Sequence, residues 1–336
     1  MKFIKKFAEH TEYEAYAEGE EMVKPNVSYC KDANDVHYNR LTIDWSNEYF
    51  RTKALEDGTI TLKISKTWGT DKVGYIAYST DNGNNWTTIE NQDDKDSVLI
   101  INVNVNEGNA VLWKGDIKQC SDDSDNVIGG NNVWFSSTNK FDVEGNIMSL
   151  SYGDNFVDVK ELEYLCQFAS LFNSCTRLIN SNNLILPATT LSEWCYYSMF
   201  SNCNAMVSAP ALPATTLAAG CYNSMFTNCK AMVSAPALPA TTLANSCYEL
   251  MFTVCIALTA APLLPALELV PGCYKSMFKG CSSLNYVKAM FTSTSTTPRQ
   301  NWLDGVAETG TFVRNSAATW NTSSLPSGWT VETAEA

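Results

Sequence analysis

The chain has 336 residues, 45% of them hydrophobic and 18% charged, with a formal net charge of −13 and room for two or three domains. The acid is uneven: residues 1–150 carry 25 Asp and Glu against 15 Lys and Arg, residues 151–336 carry 11 against 8. No basic patch is present to follow a phosphate backbone, so no nucleic-acid partner is expected, and the longest apolar runs fall far short of a membrane span, so no membrane insertion is expected.

Residues 1–39 read as an N-terminal anchoring arm. The opening MKFIKKFAEHTEYEAY has early lysines but lacks both an apolar run of about seven residues and the small-residue cleavage site of a secretory signal. That pattern predicts a protein that does not use the usual secretory route. Residues 5–16 predict a short amphipathic helix and residues 18–39 an extended arm, of the kind that docks by strand addition or in a groove. A solvated acidic leader is the alternative. The two histidines, His10 and His37, both lie here, and pairing His37 with Cys30 is a weak basis for nucleophilic chemistry.

From residue 40 to 155 the character changes. GTITLKI (58–64), VGYIAYS (73–79), VLIINVNV (98–105), NAVLWKG (109–115) and KFDVEGNIMSL (140–150) are strand-like, separated by Gly, Asn and Asp. Several strands at this spacing predict an antiparallel β-sandwich. STDNGNNW fits S-x-D-x-G-x-x-W: Ser79, Asp81, Gly83 and Trp86. Two acidic loops, Asp93-Asp94-Lys95-Asp96 and Asp122-Asp123-Ser124-Asp125, lack the glycine and glutamate spacing of a calcium loop and read as solvated.

Residues 156–292 repeat. Cys195, Cys221, Cys247 and Cys273 are 26 residues apart, as are Cys203, Cys229, Cys255 and Cys281, and Leu186, Leu212, Leu238 and Leu264. A degenerate earlier copy surrounds Leu171, Phe172 and Cys175, with Gln167 in place of the first cysteine. Within one unit Cys221, Tyr222, Met225, Phe226 and Cys229 stand at i, i+1, i+4, i+5 and i+8, which predicts one face of a short helix. A proline-bearing bend and an extended LPATTL segment follow. One helix and one extended piece per unit, neither able to bury its face alone, predict a solenoid. Its repeated core would be the eight cysteines together with Phe200, Phe226, Phe252 and Phe278. A helix would hold the two cysteines of a unit about 12 Å apart, beyond disulfide reach. Buried free thiols are therefore expected, ahead of some disulfides or a metal site. Residues 293–336, with NWLDGVAETGTFV and SLPSGWTV, predict a C-terminal β cap.

LPATTL followed by CYNSMFTNC resembles the BspA-like class of leucine-rich repeats of Bacteroidales surface proteins, over about two fifths of the chain. The period of 26 is longer than usual there, and Ala and Thr stand where that class prefers Ile and Val. The resemblance implies a surface-exposed binding scaffold. Ser79, Asp81, Gly83 and Trp86 resemble the Asp-box hairpin of sialidases, which implies a structural turn. The sialidase arginine cluster and tyrosine nucleophile have no counterpart here. FAEHTEYEAY and KPNVSYCKDANDVHYN resemble opening segments of virion proteins from phages of gut Bacteroidales, including the crAss-like group.

Together these readings predict an α+β multidomain chain: arm 1–39, sandwich 40–155, solenoid 156–292 and cap 293–336. No enzyme motif and no cofactor site is found. The expected function is that of a phage virion structural protein, a capsid decoration or fibre, on the virion surface. Residues 1–39 would bind capsid or other virion proteins, and the repeats would meet a host surface protein or glycan. The alternative is a bacterial cell-surface adhesin. Expected contact residues are a ladder of hydroxyls (Thr189, Thr190, Thr215, Thr216, Thr241 and Thr242) and a ladder of rings (Tyr197, Tyr222, Tyr248 and Tyr274), suited to neutral sugars. Half-buried packing is the competing reading of the tyrosines. Weak single sites imply multivalency, so a homo-oligomer is expected.

Overall fold

The computed structural model describes residues 47–64, 73–90, 98–118, 133–292, 295–319 and 325–334, and the backbone alone of short strands at 3–6, 13–16, 27–28, 42–43, 121–122 and 130–131. The protein is β-rich, with several sheets and few helices. Strands β1 (Phe3–Lys6) and β2 (Tyr13–Tyr16) pair antiparallel, where the sequence predicts a helix across 5–16. β3 (Val27–Ser28) pairs in the same sense with β4 (Thr42–Ile43).

Next in chain order come β5 (Arg51–Ala54), β6 (Gly58–Ile64), β7 (Val73–Ser79), β8 (Thr87–Glu90), β9 (Leu99–Val105) and β10 (Ala110–Ile117). The hairpin strands β11 (Ser121–Asp122) and β12 (Gly130–Asn131) follow, then β13 (Val133–Ser137), β14 (Phe141–Asn146) and β15 (Asn183–Ile185). A six-stranded sheet has the order β15-β14-β5-β10-β7-β8, and a three-stranded one the order β13-β6-β9. Pairing is antiparallel except between β14 and β15. Register follows the alternation of side chains. Ile60 and Leu62 point inward opposite Val103 and Ile101, while Thr59 and Thr61 hydrogen-bond Asn104 and Asn102 on the outer face at 2.9 and 2.8 Å. The two sheets meet through Phe135, whose ring lies 5.5 Å from Phe50 and 5.2 Å from Trp113. The strand-like run 140–150 is strand only to Asn146; Ser149–Tyr152 form α1, the one α-helix among the described residues.

The helix expected in each repeat is corrected. In the unit 218–229 the N–H groups of Cys221, Asn223, Met225, Thr227 and Cys229 each donate to the carbonyl three residues back. Those of Gly220, Tyr222, Ser224, Phe226 and Asn228 donate instead to Asn245, Cys247, Glu249, Met251 and Thr253 of the next unit, at 2.7–3.0 Å. The chain is thus a row of overlapping four-residue turns. Every second turn has its third residue (Gly220, Ser224, Asn228) at positive φ, between 58° and 64°. An α-helix would keep those N–H groups inside itself. Over eight residues a period of four and one of 3.6 diverge by about 80°, too little for the apolar pattern alone to separate them.

Successive rows stack ring on ring. Tyr196, Tyr222, Tyr248 and Tyr274 lie 5.7, 5.8 and 6.0 Å apart, within 11° of parallel. Phe172, Phe200, Phe226, Phe252 and Phe278 lie 5.3–5.7 Å apart. At the N-terminal end Phe172 also stacks on Phe135 at 5.5 Å, and the Phe135 N–H donates to the Leu171 carbonyl, so the core runs unbroken across the expected boundary at 155/156. At the other end, β16 (Tyr286–Ala289), β17 (Thr309–Arg314) and β18 (Gly328–Thr333) form a parallel three-stranded sheet.

Candidate functional site: the exposed threonine face

The extended segments between the rows alternate like strands. Leu212 and Ala214 face inward while Pro213 and Thr215 face out, and Leu238, Ala240, Pro239 and Thr241 repeat the arrangement. Thr189, Thr215, Thr216, Thr241 and Thr242 are exposed and Thr190 is half-buried. Backbone bonds tie the first two segments together. The Thr215 and Thr216 N–H groups both donate to the Thr189 carbonyl at 3.1 and 3.0 Å, and Leu191 donates to Thr216 at 3.0 Å. The hydroxyls of Thr215, Thr216, Thr241 and Thr242 have no hydrogen-bond partner among the described residues, whereas that of Thr189 reaches the Lys160 carbonyl at 3.5 Å. One period on, Leu267 (51% exposed) and Glu268 replace the threonine pair and end the stripe. Between residues 186 and 281 only six side chains are charged, so the face is nearly neutral.

The tyrosine ladder is corrected in register and in direction. The residue in line with Tyr222, Tyr248 and Tyr274 is Tyr196, and all four rings are buried at 1% exposure or less. Each follows a buried cysteine, donates its own N–H to the next row and stacks on the tyrosine of the neighbouring unit. Burial pushes their hydroxyl pKa well above the ordinary value, and the hydroxyls of Tyr196, Tyr248 and Tyr274 lack partners among the described residues. Tyr197 alone reaches the surface. It is half-buried and meets Trp194 edge-on at 5.7 Å. Trp194 has a φ of 56° and its ring lies over Gly220, where any Cβ would strike it. The sequence reading missed this pair. The signal lies in Gly220, 26 residues after Trp194 at a place where Ser246 and Gly272 follow: the ring needs a bare neighbour.

The ten described cysteines are buried and none forms a disulfide. Cys203, Cys229, Cys255 and Cys281 each donate the thiol to the carbonyl of Phe172, Phe200, Phe226 and Phe252 at 2.9–3.1 Å. Burial raises their pKa, to about 12 at Cys229 and Cys281, so at neutral pH they are protonated packing groups rather than nucleophiles. Cys195, Cys221, Cys247 and Cys273 are buried alongside the stacked tyrosines.

The Asp81 hairpin is a self-contained turn. Ser79 donates its hydroxyl to Asp81 at 2.7 Å, Asn85 donates through its N–H and Nδ2 at 2.9 and 2.6 Å, and Gly83 (φ 85°) donates to the Ser79 hydroxyl at 2.9 Å. These donors, the Asn85 N–H first, hold the Asp81 carboxyl down to about 2. Trp86 packs against Tyr49 at 5.0 Å, and its face is taken by the Lys114 ammonium at 4.2 Å. Lys114 in turn binds Asp154 at 2.7 Å, beside the Tyr49 hydroxyl, which donates to the same oxygen at 2.6 Å. The ring face is therefore filled from within. No group of three or more metal-ligating side chains occurs among the described residues. His10, Cys30, His37 and the acidic loops, apart from the backbone of Asp122, lie outside them. No protein-family model, no curated protein and no solved structure matches the chain.

Proposed function

We propose that the chain is a non-enzymatic attachment protein of a phage virion, a capsid decoration or fibre. In this reading residues 1–39 anchor it to the particle, 40–155 form an antiparallel β-sandwich, and 156–292 form a leucine-rich-repeat-like solenoid built from turns, closed by 293–336. The solenoid offers its threonine face to a host-surface glycan or protein. One observation carries the reading: unengaged, exposed hydroxyls at Thr215, Thr216, Thr241 and Thr242 repeat on a nearly uncharged surface backed by stacked, buried rings. Neutral sugars are recognised by such hydroxyls without charge. The half-buried Trp194–Tyr197 pair adds an aromatic edge of the type sugars stack against. Repeated shallow contacts gain strength from multivalency, which fits a homo-oligomer. The resemblance of the leader to phage virion proteins supports the particle. The resemblance of the repeats to bacterial surface proteins favours, as a second reading, an adhesin on the cell.

Replacing Thr215, Thr216, Thr241 and Thr242 together by valine keeps shape and removes the hydroxyls. Binding to host cells and to immobilised glycans is expected to fall at least about tenfold, with the thermal unfolding midpoint unchanged. Undiminished binding by the folded variant would sink the threonine face. In a density gradient of lysate the protein is expected with DNA-containing particles at a fixed ratio to the major capsid protein. Recovery from the envelope fraction alone would replace the virion by the adhesin.

A further inference from the structure

Each row of turns passes a set of alternate N–H groups to the row after it. Tyr274, Ser276, Phe278 and Gly280 donate to the carbonyls of Pro298, Gln300, Trp302 and Asp304 at 2.7–2.9 Å. The row 297–305 continues the same geometry. Asn301 and Gly305 have φ of 57° and 73°, as Ser276 and Gly280 have 52° and 73°. A Cβ on Gly305 would lie 3.5 Å from the Gly280 Cα, so the two rows are in register. The N–H groups of Asn301, Leu303 and Gly305 therefore stand where those of Ser276, Phe278 and Gly280 stand one row earlier, yet none of the three donates to a described residue. In place of a following row there is a cleft of about 720 Å³, walled by the row itself and by Leu325 and Pro326.

We propose that this cleft docks a segment of a partner polypeptide, wound in the same row of turns, which adds to the last row as its next rung through carbonyls on alternate residues. The occupant is argued from the molecule's own junctions: wherever this donor row recurs upstream, backbone carbonyls at every second residue fill it. The three donors are spread over five residues of the row, and each such donor upstream takes a carbonyl of its own, so one small anion does not serve all three, whereas an added rung does. The row's charged side chains are engaged, Asp304 facing Lys279 at 3.8 Å and the buried Arg299 guanidinium lying over the Phe291 ring at 5.5 Å, and Thr297, Gln300 and Asn301 complete a polar wall. The segment that fits is accordingly one of no net charge. Head-to-tail stacking of a second copy would meet a covered start, because Phe135 donates its N–H to the Leu171 carbonyl and stacks on Phe172 at 5.5 Å. This site is independent of the threonine face.

The test uses the full chain and a synthetic peptide, TPRQNWLDG, the sequence of residues 297–305, which is the rung that the preceding row already accepts. In the free protein the amides of Asn301, Leu303 and Gly305 are expected to exchange with solvent at least about tenfold faster than those of Ser276, Phe278 and Gly280. Saturating peptide is expected to slow those three and leave Thr215 and Thr216 as they were. Slow exchange of the three amides without peptide, or no slowing at about 5 mM peptide, a weak-binding concentration, overturns the proposal. Protection that grows with protein concentration alone assigns the cleft to a second copy and overturns it equally.

Discussion

The sheets of residues 51–146 and the turn rows of 166–305 solve the same backbone problem by different routes. In both, alternate N–H groups reach sideways to a neighbour. In the sheets that neighbour is often distant in the chain: β13 pairs with β6, and β14 with β5. In the rows before the last, the acceptor is always the next unit. The fixing of register differs as a result. A sheet is held by alternation, so Ile60, Leu62 and Ile64 must share one face. A row is held by a residue at positive φ every fourth position and by rings of equal size lying on one another. Sheets should therefore be sensitive to polarity patterns, and rows to ring size and to added bulk at a turn position that lies under a neighbour's ring, as Gly220 does.

The largest break in that contrast comes from Phe226→Ala. Phe226 is buried and stacks on Phe200 and Phe252 at 5.6 and 5.7 Å. Its loss should cost about 3–5 kcal/mol by chemical denaturation. Amide exchange should quicken first in the two adjoining rows, with the amide of Trp113 in the six-stranded sheet slow throughout. Equal quickening everywhere would show that rows and sheets unfold as one unit.

A smaller effect, about 1–3 kcal/mol, is expected of Gly220→Val. The new side chain would meet the Trp194 ring and hold a β-branched residue at a φ of 61°. The fluorescence of Trp194 should shift toward that of exposed indole. An unchanged spectrum and unfolding midpoint would mean that row register does not depend on that position.

The smallest effect at neutral pH appears only in base. Burial raises the thiols of Cys273 to about 11 and of Cys175 to about 12, from an ordinary value near 9. Below pH 9 both folded and unfolded chains keep these protons, and the full stability is present. Between pH 9 and about 12 the unfolded chain releases protons that the folded one retains, so stability falls as pH rises through that window. The urea midpoint should decline between pH 9 and 11. At pH 8 a thiol reagent should label no more than the two cysteines outside the described residues, Cys30 and Cys120, until the chain unfolds. Rapid labelling of Cys229 or Cys255 in the native protein would contradict the packing.

Much of this was legible in the residues. The spacing of Cys195, Cys221, Cys247 and Cys273 identified inward positions, and S-x-D-x-G-x-x-W identified the Asp81 turn, since both depend on local chemistry. The row of turns was not legible from apolar spacing. Its sign in that unit is the chemistry of the residues between, Gly220, Ser224 and Asn228, which tolerate positive φ, but the sign is lost one unit on, where Leu250 and Val254 hold the same backbone. The tyrosines were misjudged at the doublet Tyr196–Tyr197. Counting back 26 from Tyr222 lands on Tyr196, and a ring adjoining a buried thiol follows it inward. Partner rings such as Trp194 over Gly220 depend on contacts between units and appear only once the units are stacked.

Phe172 touches Phe135 of the sheet on one side and Phe200 of the next row on the other. Mechanically, that shared ring makes the sheet region the fixed jaw and the far end the free one. A pull on the C-terminus meets the rows one at a time, each held by a short ladder of backbone bonds and two rings. Every rung lost would lengthen the chain by about 90 Å, so extension under load would proceed in steps of that size.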